Sequence, residues 1–138
     1  WAALTINPLI AEQLNYDTDA LRADLEIRLE QMNDNQNSAY DRIVASVENT
    51  DGGLFFLNGS GGTGKTFVYN TVCAKLRSDQ NVVLCVSSSG ISTLLICGGR
   101  TAHSMFKIPI DGLHEGTVCP IPKNSRCGDL MRAAKVII

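Results

Sequence analysis

The sequence predicts an α/β fold built on a parallel sheet, and three observations carry that prediction. The apolar run Leu54-Phe55-Phe56-Leu57 has the length and lack of charge of a strand buried on both faces. After a glycine-rich stretch, Val68, Val72 and Leu76 recur at i, i+4, i+8 with Phe67 beside them, which draws one apolar stripe along a helix. Val82-Val83-Leu84-Cys85-Val86 then gives a second buried strand, β-branched and uncharged. Strand, helix and strand within about thirty residues form a βαβ unit, whose strands run parallel through a right-handed crossover.

The stretch between the first strand and the helix, Gly59-Ser60-Gly61-Gly62-Thr63-Gly64-Lys65-Thr66, satisfies GxxxxGK[ST] at every fixed position. Its glycines let the backbone wrap an anion with N–H groups, in conformations that a side chain resists. The helix that follows aims its positive end at the same anion. Lys65 is placed to reach the β- and γ-phosphates of a nucleoside triphosphate, and the Thr66 hydroxyl to ligate Mg²⁺. A plain glycine-rich hairpin that happens to carry Lys-Thr is the alternative, and the strand–loop–helix context argues against it. The fold class is therefore that of a P-loop NTPase.

Composition sets bounds on the rest. A chain of 138 residues, 44% hydrophobic and 19% charged, makes one ordinary globular domain with a real core. A net charge of −2 gives no global basic field, so nucleic-acid binding has to be local or depend on other parts. Cys73, Cys85, Cys97, Cys119 and Cys127 are scattered without a CxxC pair, the pattern of buried free thiols rather than of a metal site or disulfide framework. No apolar run approaches a membrane span, and no signal peptide is visible. The chain opens on Trp1 and stops within Val136-Ile137-Ile138, an apolar run with the look of an unfinished strand. The expectation is a fragment with open sheet edges, poorly soluble when expressed alone.

The remaining elements follow in order. Residues 1–16 show little periodicity, and Pro8 discourages an early helix. From about Thr18, Leu21, Leu25, Leu29 and Met32 recur at helical spacing. Asn33 or Asp34 can cap a second helix with Tyr40, Ile43, Val44 and Val47 on one face, closed by the turn residues Asn49-Thr50-Asp51-Gly52-Gly53. Beyond the second strand, Ser87-Ser88-Ser89-Gly90 opens a helix that is apolar through Ile91, Leu94, Leu95 and Ile96 and ended by Gly98-Gly99. Arg100 to Lys107 is polar with scattered anchors, and Ile108 to Arg126, rich in proline and glycine, is an extended loop. Gly128 to Ala134 forms a short helix leading into the last strand.

Taken together, GSGGTGKTFVYN, SSSGISTLL and GGRTAHSMFKIPI resemble the N-terminal ATPase domain of the Pif family of helicases, most nearly the version found in Helitron-type transposons. The resemblance implies a RecA-like three-layer sandwich, incomplete at the C-terminus, with residues 1–32 as an upstream helical extension and 33–138 as a partial first motor domain. It also implies ATP and Mg²⁺ as cofactors and single-stranded or forked DNA as partner, in repair, recombination or transposition. The location implied is intracellular, in nucleus or mitochondrion, with no membrane involved. The second motor domain of the family is absent from this chain.

Residue by residue, the resemblance places Gln36 where the family has a glutamine on the adenine of ATP. Physically, Gln36 is also the N3 residue of a capping box begun by Asn33, so both readings stand. Ser88, Ser89 and Gly90 match the segment that meets single-stranded DNA, although a serine N-cap explains them as well. Arg100, Thr101, His103, Ser104 and Lys107 form a local basic and hydrogen-bonding cluster, with Phe106 as a stacking surface. Met105 stands where relatives often carry a basic residue, and His103 is alternatively a half-buried structural histidine. His114 has no partner at metal-ligand spacing. Hydrolysis in this family needs an Asp-Glu pair at the end of a strand that Lys135-Val136-Ile137-Ile138 resembles, and no such dipeptide occurs in the chain. Nucleotide binding without turnover is therefore the expectation for residues 1–138, with an inactive nucleotide-binding relic of a transposon helicase, or another P-loop NTPase, as the alternatives.

Overall fold

The computed structural model describes residues 6–138. Helix α1 (Pro8–Leu14) corrects the expectation drawn from Pro8. Proline stands at the first helical position, where its missing N–H costs nothing, and Asn7 Oδ1 accepts from Leu9 N–H at 3.0 Å as the cap. Helix α2 (Thr18–Gln31) starts on Asp17, whose Oδ1 accepts from the amides of Asp19 and Ala20. Helix α3 (Asp34–Asn49) is capped by Asn33 and turns off at Thr50, in the left-handed region at φ 59°. Helix α4 (Lys65–Ser78) follows the phosphate loop.

The strands are β1 (Val82–Leu84), β2 (Val86–Ser87), β3 (Arg100–Thr101) and β4 (Ala134–Ile137). Short helices α5 (Gly90–Thr93), α6 (Ala102–Phe106) and α7 (Arg126–Ala133) lie between them. β1 pairs with β4 and β2 with β3, both in parallel. β1 and β2 are one extended run. Its Val86 N–H donates to Ile138 O at 2.7 Å on the β4 side, while Cys85 O accepts from Arg100 N–H at 2.9 Å on the β3 side.

Period-two alternation along this run builds two cores. Val83 and Cys85 join Val68, Val72, Cys73 and Leu76 of α4, Tyr40 and Val44 of α3, and Met32. Val82 and Leu84 join Met105 and Leu130, with Leu9, Ile10 and Leu14 of α1 packed against them. Helices thus cover both faces of β1, as the uncharged run Val82–Val86 requires. α2 packs along α4, and its Leu25 and Leu29 reach the first core. Among the described residues no helix is long and apolar enough to cross a membrane.

Three expectations need correction. Leu54–Leu57 forms no ladder, so the expected βαβ pairing with the second strand is absent, and β1 takes β4 as neighbour. Leu54 and Phe56 stand in solvent at 101% and 91% exposure, while Leu57 packs against the first core. A groove of about 400 Å³ separates Leu54 and Phe55 from Val136, Ile137 and Ile138 of the β4 edge. An apolar run reports a period and a preference for burial, whereas a strand also needs an aligned neighbour. Second, the helix opened by Gly90 lasts only to Thr93, leaving Ile91, Leu94 and Leu95 exposed rather than in a stripe. Third, only Cys73 and Cys85 are buried free thiols; Cys97 and Cys119 are exposed.

Tyr40 provides a test of the first core. Burial, followed by the nearby charges of Asp41, Asp79 and Glu48, pushes its phenol up to about 12. The unfolded chain releases this proton near pH 10 and the folded chain retains it, so the stabilising contribution is present below pH 10 and lost as pH rises towards 12. Relative to Tyr40→Phe, the wild type should lose about 2 kcal/mol of stability between roughly pH 10 and 12, read from urea melts. Equal slopes in the two proteins would place the phenol in solvent.

Candidate functional site

The phosphate loop takes its shape from two glycines in the left-handed region. Gly62 lies at φ 78°, and Gly64 at φ 82°, ψ 24° as the residue that starts α4. A Cβ on Gly64 would be strained by that backbone and would run into Gln36 Nε2. A Cβ on Gly61 or Gly62 would meet nothing within 4 Å, so the outer face of the loop is open. The inner side is closed, with Thr63 Oγ1 donating to Ser60 O at 2.8 Å. Lys65 Nζ lies across the loop and donates to Gly59 O at 2.6 Å and Ser60 O at 2.9 Å. Carbonyl dipoles hold the ammonium, which carries no salt bridge to a carboxylate among the described residues. Thr66 is half-buried in the first turn of α4.

This loop forms one wall of a cleft of about 550 Å³, and the first turn of α3 forms the other. Gln36 joins the walls. Its Oε1 accepts from Asn33 N–H at 3.1 Å while Asn33 Oδ1 accepts from Gln36 N–H at 3.0 Å, which completes the capping box. Its Nε2 donates to Thr63 O at 3.2 Å. The same side chain therefore caps α3 and touches the loop, with its acceptor committed to the cap. Asn35 and Asn58 also line the cleft, and sequence reasoning missed both. Their signal was position alone: Asn58 precedes the loop and Asn35 precedes Gln36. Leu57, Ala39 and Val68 supply the apolar part of the wall. No carboxylate lines the cleft among the described residues.

The second group of sequence candidates is brought together by the pairing of Val86 with Arg100 and Ser87 with Thr101. Ser88, Ser89, Gly90, Arg100, His103 and Lys107 are all exposed at this end of the sheet. Ser89 acts as an N-cap: its Oγ accepts from Ser92 N–H at 3.3 Å and lies 2.9 Å from Ser92 Oγ. Thr101 caps α6 by accepting from Ser104 N–H at 3.2 Å, and Lys107 ends α6 at φ 56°. Arg100 Nη2 is engaged by Glu12 Oε1 of α1 at 2.8 Å.

Some readings of this segment change. His103 is exposed rather than half-buried. Phe106 packs against the second core instead of offering a free stacking face, because the short helix α6 turns it and Met105 inward together. Met105 is core, which accounts for an apolar residue at that position. His114 Nδ1 accepts from Gly116 N–H at 3.1 Å within its own turn. Among the described residues no group of three or more His, Cys, Asp or Glu could hold a metal ion.

Two residues of α4 that sequence reasoning passed over link the sites. Asn70 Nδ2 donates to Leu95 O at 3.0 Å and its Oδ1 accepts from Cys97 N–H at 3.3 Å. Arg77 Nη1 donates to Cys97 O at 2.8 Å. The helix that carries the loop thus grips the segment leading into Arg100.

A mixed α/β chain with short parallel strands and a glycine-rich loop at a helix N-terminus is the class that this geometry defines. A family model described as PIF1-like helicase matches residues 31–138, and the chain belongs to that family. No individual curated protein matches it.

Proposed function

We propose that this chain is the ATP-holding part of a DNA helicase, with a RecA-like three-layer sandwich as its underlying plan. In the working enzyme Mg-ATP hydrolysis would drive movement along single-stranded or forked DNA. The observation that carries the reading is the ammonium of Lys65, without a salt-bridged carboxylate among the described residues, beside the open face of Gly61 and Gly62 at the start of α4. A triphosphate replaces the Gly59 and Ser60 carbonyls as the partner of Lys65, and loop amides donate to its oxygens. Thr66 is positioned in the first turn for Mg²⁺. The cleft of about 550 Å³ suits a nucleotide, with Gln36, Asn35 and Asn58 offering amides to the base. Helices on both faces of β1 support the layered plan. Bound Mg²⁺ would supply charge neutralisation on the phosphates. The amide, hydroxyl and ammonium lining supports binding without appreciable turnover by residues 1–138.

For DNA, the supporting observation is the exposed cluster of Ser88, Ser89, Gly90, Arg100, His103 and Lys107 on one sheet end. The test is fluorescence anisotropy of a labelled single-stranded oligonucleotide with this chain, with and without Mg-ATP. Saturable binding that Lys107→Glu weakens is the expected result; equal binding by that variant would remove the cluster from the interface. Glu12 makes a sharper prediction. Its pair with Arg100 occupies the guanidinium and competes with a phosphate for it. Glu12→Gln should raise affinity several-fold at low salt and steepen the logarithmic salt slope by about 0.7, the value for one more phosphate contact on a single strand. An unchanged slope would mean that Arg100 does not meet DNA.

A further inference from the structure

Between α4 and the β1–β2 run lies a cluster that nucleotide and DNA binding leave unused. Cys73 Sγ and Cys85 Sγ are 3.4 Å apart, and both residues are about 1% exposed. Arg77, one turn beyond Cys73, sets Nη2 at 3.5 Å from Cys85 Sγ. Its guanidinium lies on the Tyr16 ring, 4.6 Å from the centroid, and its Nε is buried without a hydrogen-bond partner. A cavity of about 290 Å³, walled by Asn70, Cys73, Arg77 and Cys97 among others, opens against the Cys73 and Arg77 side of this group, with Cys85 behind them.

Two thiols in contact are by themselves ordinary core packing. The guanidinium distinguishes this site. A buried cation with an unused donor is costly, and an apolar side chain would fill the place at less cost. We propose that Cys73 and Cys85 are an oxidisable dithiol, converted to a disulfide by a small hydroperoxide that enters through this cavity and is held by Arg77.

The chemistry balances. The hydrogen bond from Cys73 and the charge of Arg77 bring the Cys85 thiol down against the effect of burial. The same hydrogen bond, with burial, raises the Cys73 thiol. Cys85 Sγ as thiolate attacks the near oxygen of the hydroperoxide, the O–O bond breaks, and the alkoxide or hydroxide leaves with a proton from solvent. The unpartnered Nε–H of Arg77 is free to donate to that leaving oxygen. Cys73 Sγ then attacks the sulfenic sulfur of Cys85, the S–S bond forms, and hydroxide departs as water with the Cys73 proton. Two thiols lose two electrons, and the hydroperoxide becomes an alcohol, or water, plus water. The sulfurs have to close by roughly 1.3 Å to reach disulfide length. The product ties the phosphate-loop helix covalently to the strand that runs on to Ser88.

The test is to treat the folded chain with hydrogen peroxide, block remaining thiols with iodoacetamide after unfolding, and map peptides by mass spectrometry. The expected product is a Cys73–Cys85 linked peptide pair, lighter by two hydrogens and reopened by dithiothreitol, with Cys97 and Cys119 recovered mainly as alkylated thiols. Cys73→Ser should leave Cys85 as a sulfenic acid trapped by dimedone. Arg77→Met should slow the linkage by roughly tenfold at neutral pH, as loss of the cation beside Cys85 lowers its thiolate fraction. Because that variant replaces a buried side chain, the wild-type linkage pattern is the deciding readout. Oxidation confined to Cys97 and Cys119, with Cys73 and Cys85 still alkylated, would overturn the proposal.

Discussion

Lys65→Ala should weaken Mg-ATP binding by roughly 100-fold while leaving the melting temperature close to that of the wild type. Among the described residues the ammonium has only the Gly59 and Ser60 carbonyls as hydrogen-bond partners, and its loss removes no ion pair between them. Toward a triphosphate it is a charged donor, worth about 1.5–3 kcal/mol, and the upper part of that range corresponds to two decades of affinity. Isothermal titration of both proteins with Mg-ATP checks this. Equal affinities would mean that the loop does not hold the phosphates. Lys65→Arg is a useful companion, because a planar guanidinium cannot replace a compact ammonium in a narrow loop and should rescue little.

Leu76→Ala should destabilise the chain by about 3 kcal/mol, which is a large share of a typical domain's stability of about 5–15 kcal/mol. Leu76 is 1% exposed on α4 and belongs to the core beside Val83 and Cys85. Leu94→Ala should stay within about 0.5 kcal/mol, because Leu94 is 84% exposed. Thermal or urea melts of the two variants separate the readings of two stretches that look equally apolar in the sequence. Comparable losses would place Leu94 in the core as well.

Where one local rule decided the outcome, the sequence was enough. Val68, Val72 and Leu76 are buried because a helix with one neighbour buries one stripe. Asn33 and Gln36 form their box because Gln36 stands three positions after the cap. The left-handed glycines appear where the loop pattern needs them, at Gly62 and Gly64. Pro8 misleads because proline breaks a helix interior but favours its first turn, and Asn7 supplies the cap. Leu54–Leu57 misleads because pairing is a property of two segments, and no pattern within one of them shows whether the other is in register.

The sites divide in the same way. The loop was legible because its residues are consecutive. Asn35 and Asn58 were not, because they become part of the cleft only when α3 folds across from the loop. Glu12 could not have been connected with Arg100 over such a separation, nor could Arg77 have been placed against Cys85 and Tyr16. The packing of Phe106 is not legible locally, because it depends on Val82 and Leu84, which lie in a strand some distance back in the chain.

The central claim, that the Gly59–Thr66 loop and Gln36 hold a triphosphate together, is tested most directly by amide chemical shifts on titration with Mg-ATP. The account predicts saturable shifts of the loop amides from Gly59 to Thr66 and of the Gln36 side-chain NH₂, whose bond to Thr63 O is reset as the loop closes on phosphate. Shifts confined to residues outside the cleft, or no saturable shift in the folded chain, would contradict it.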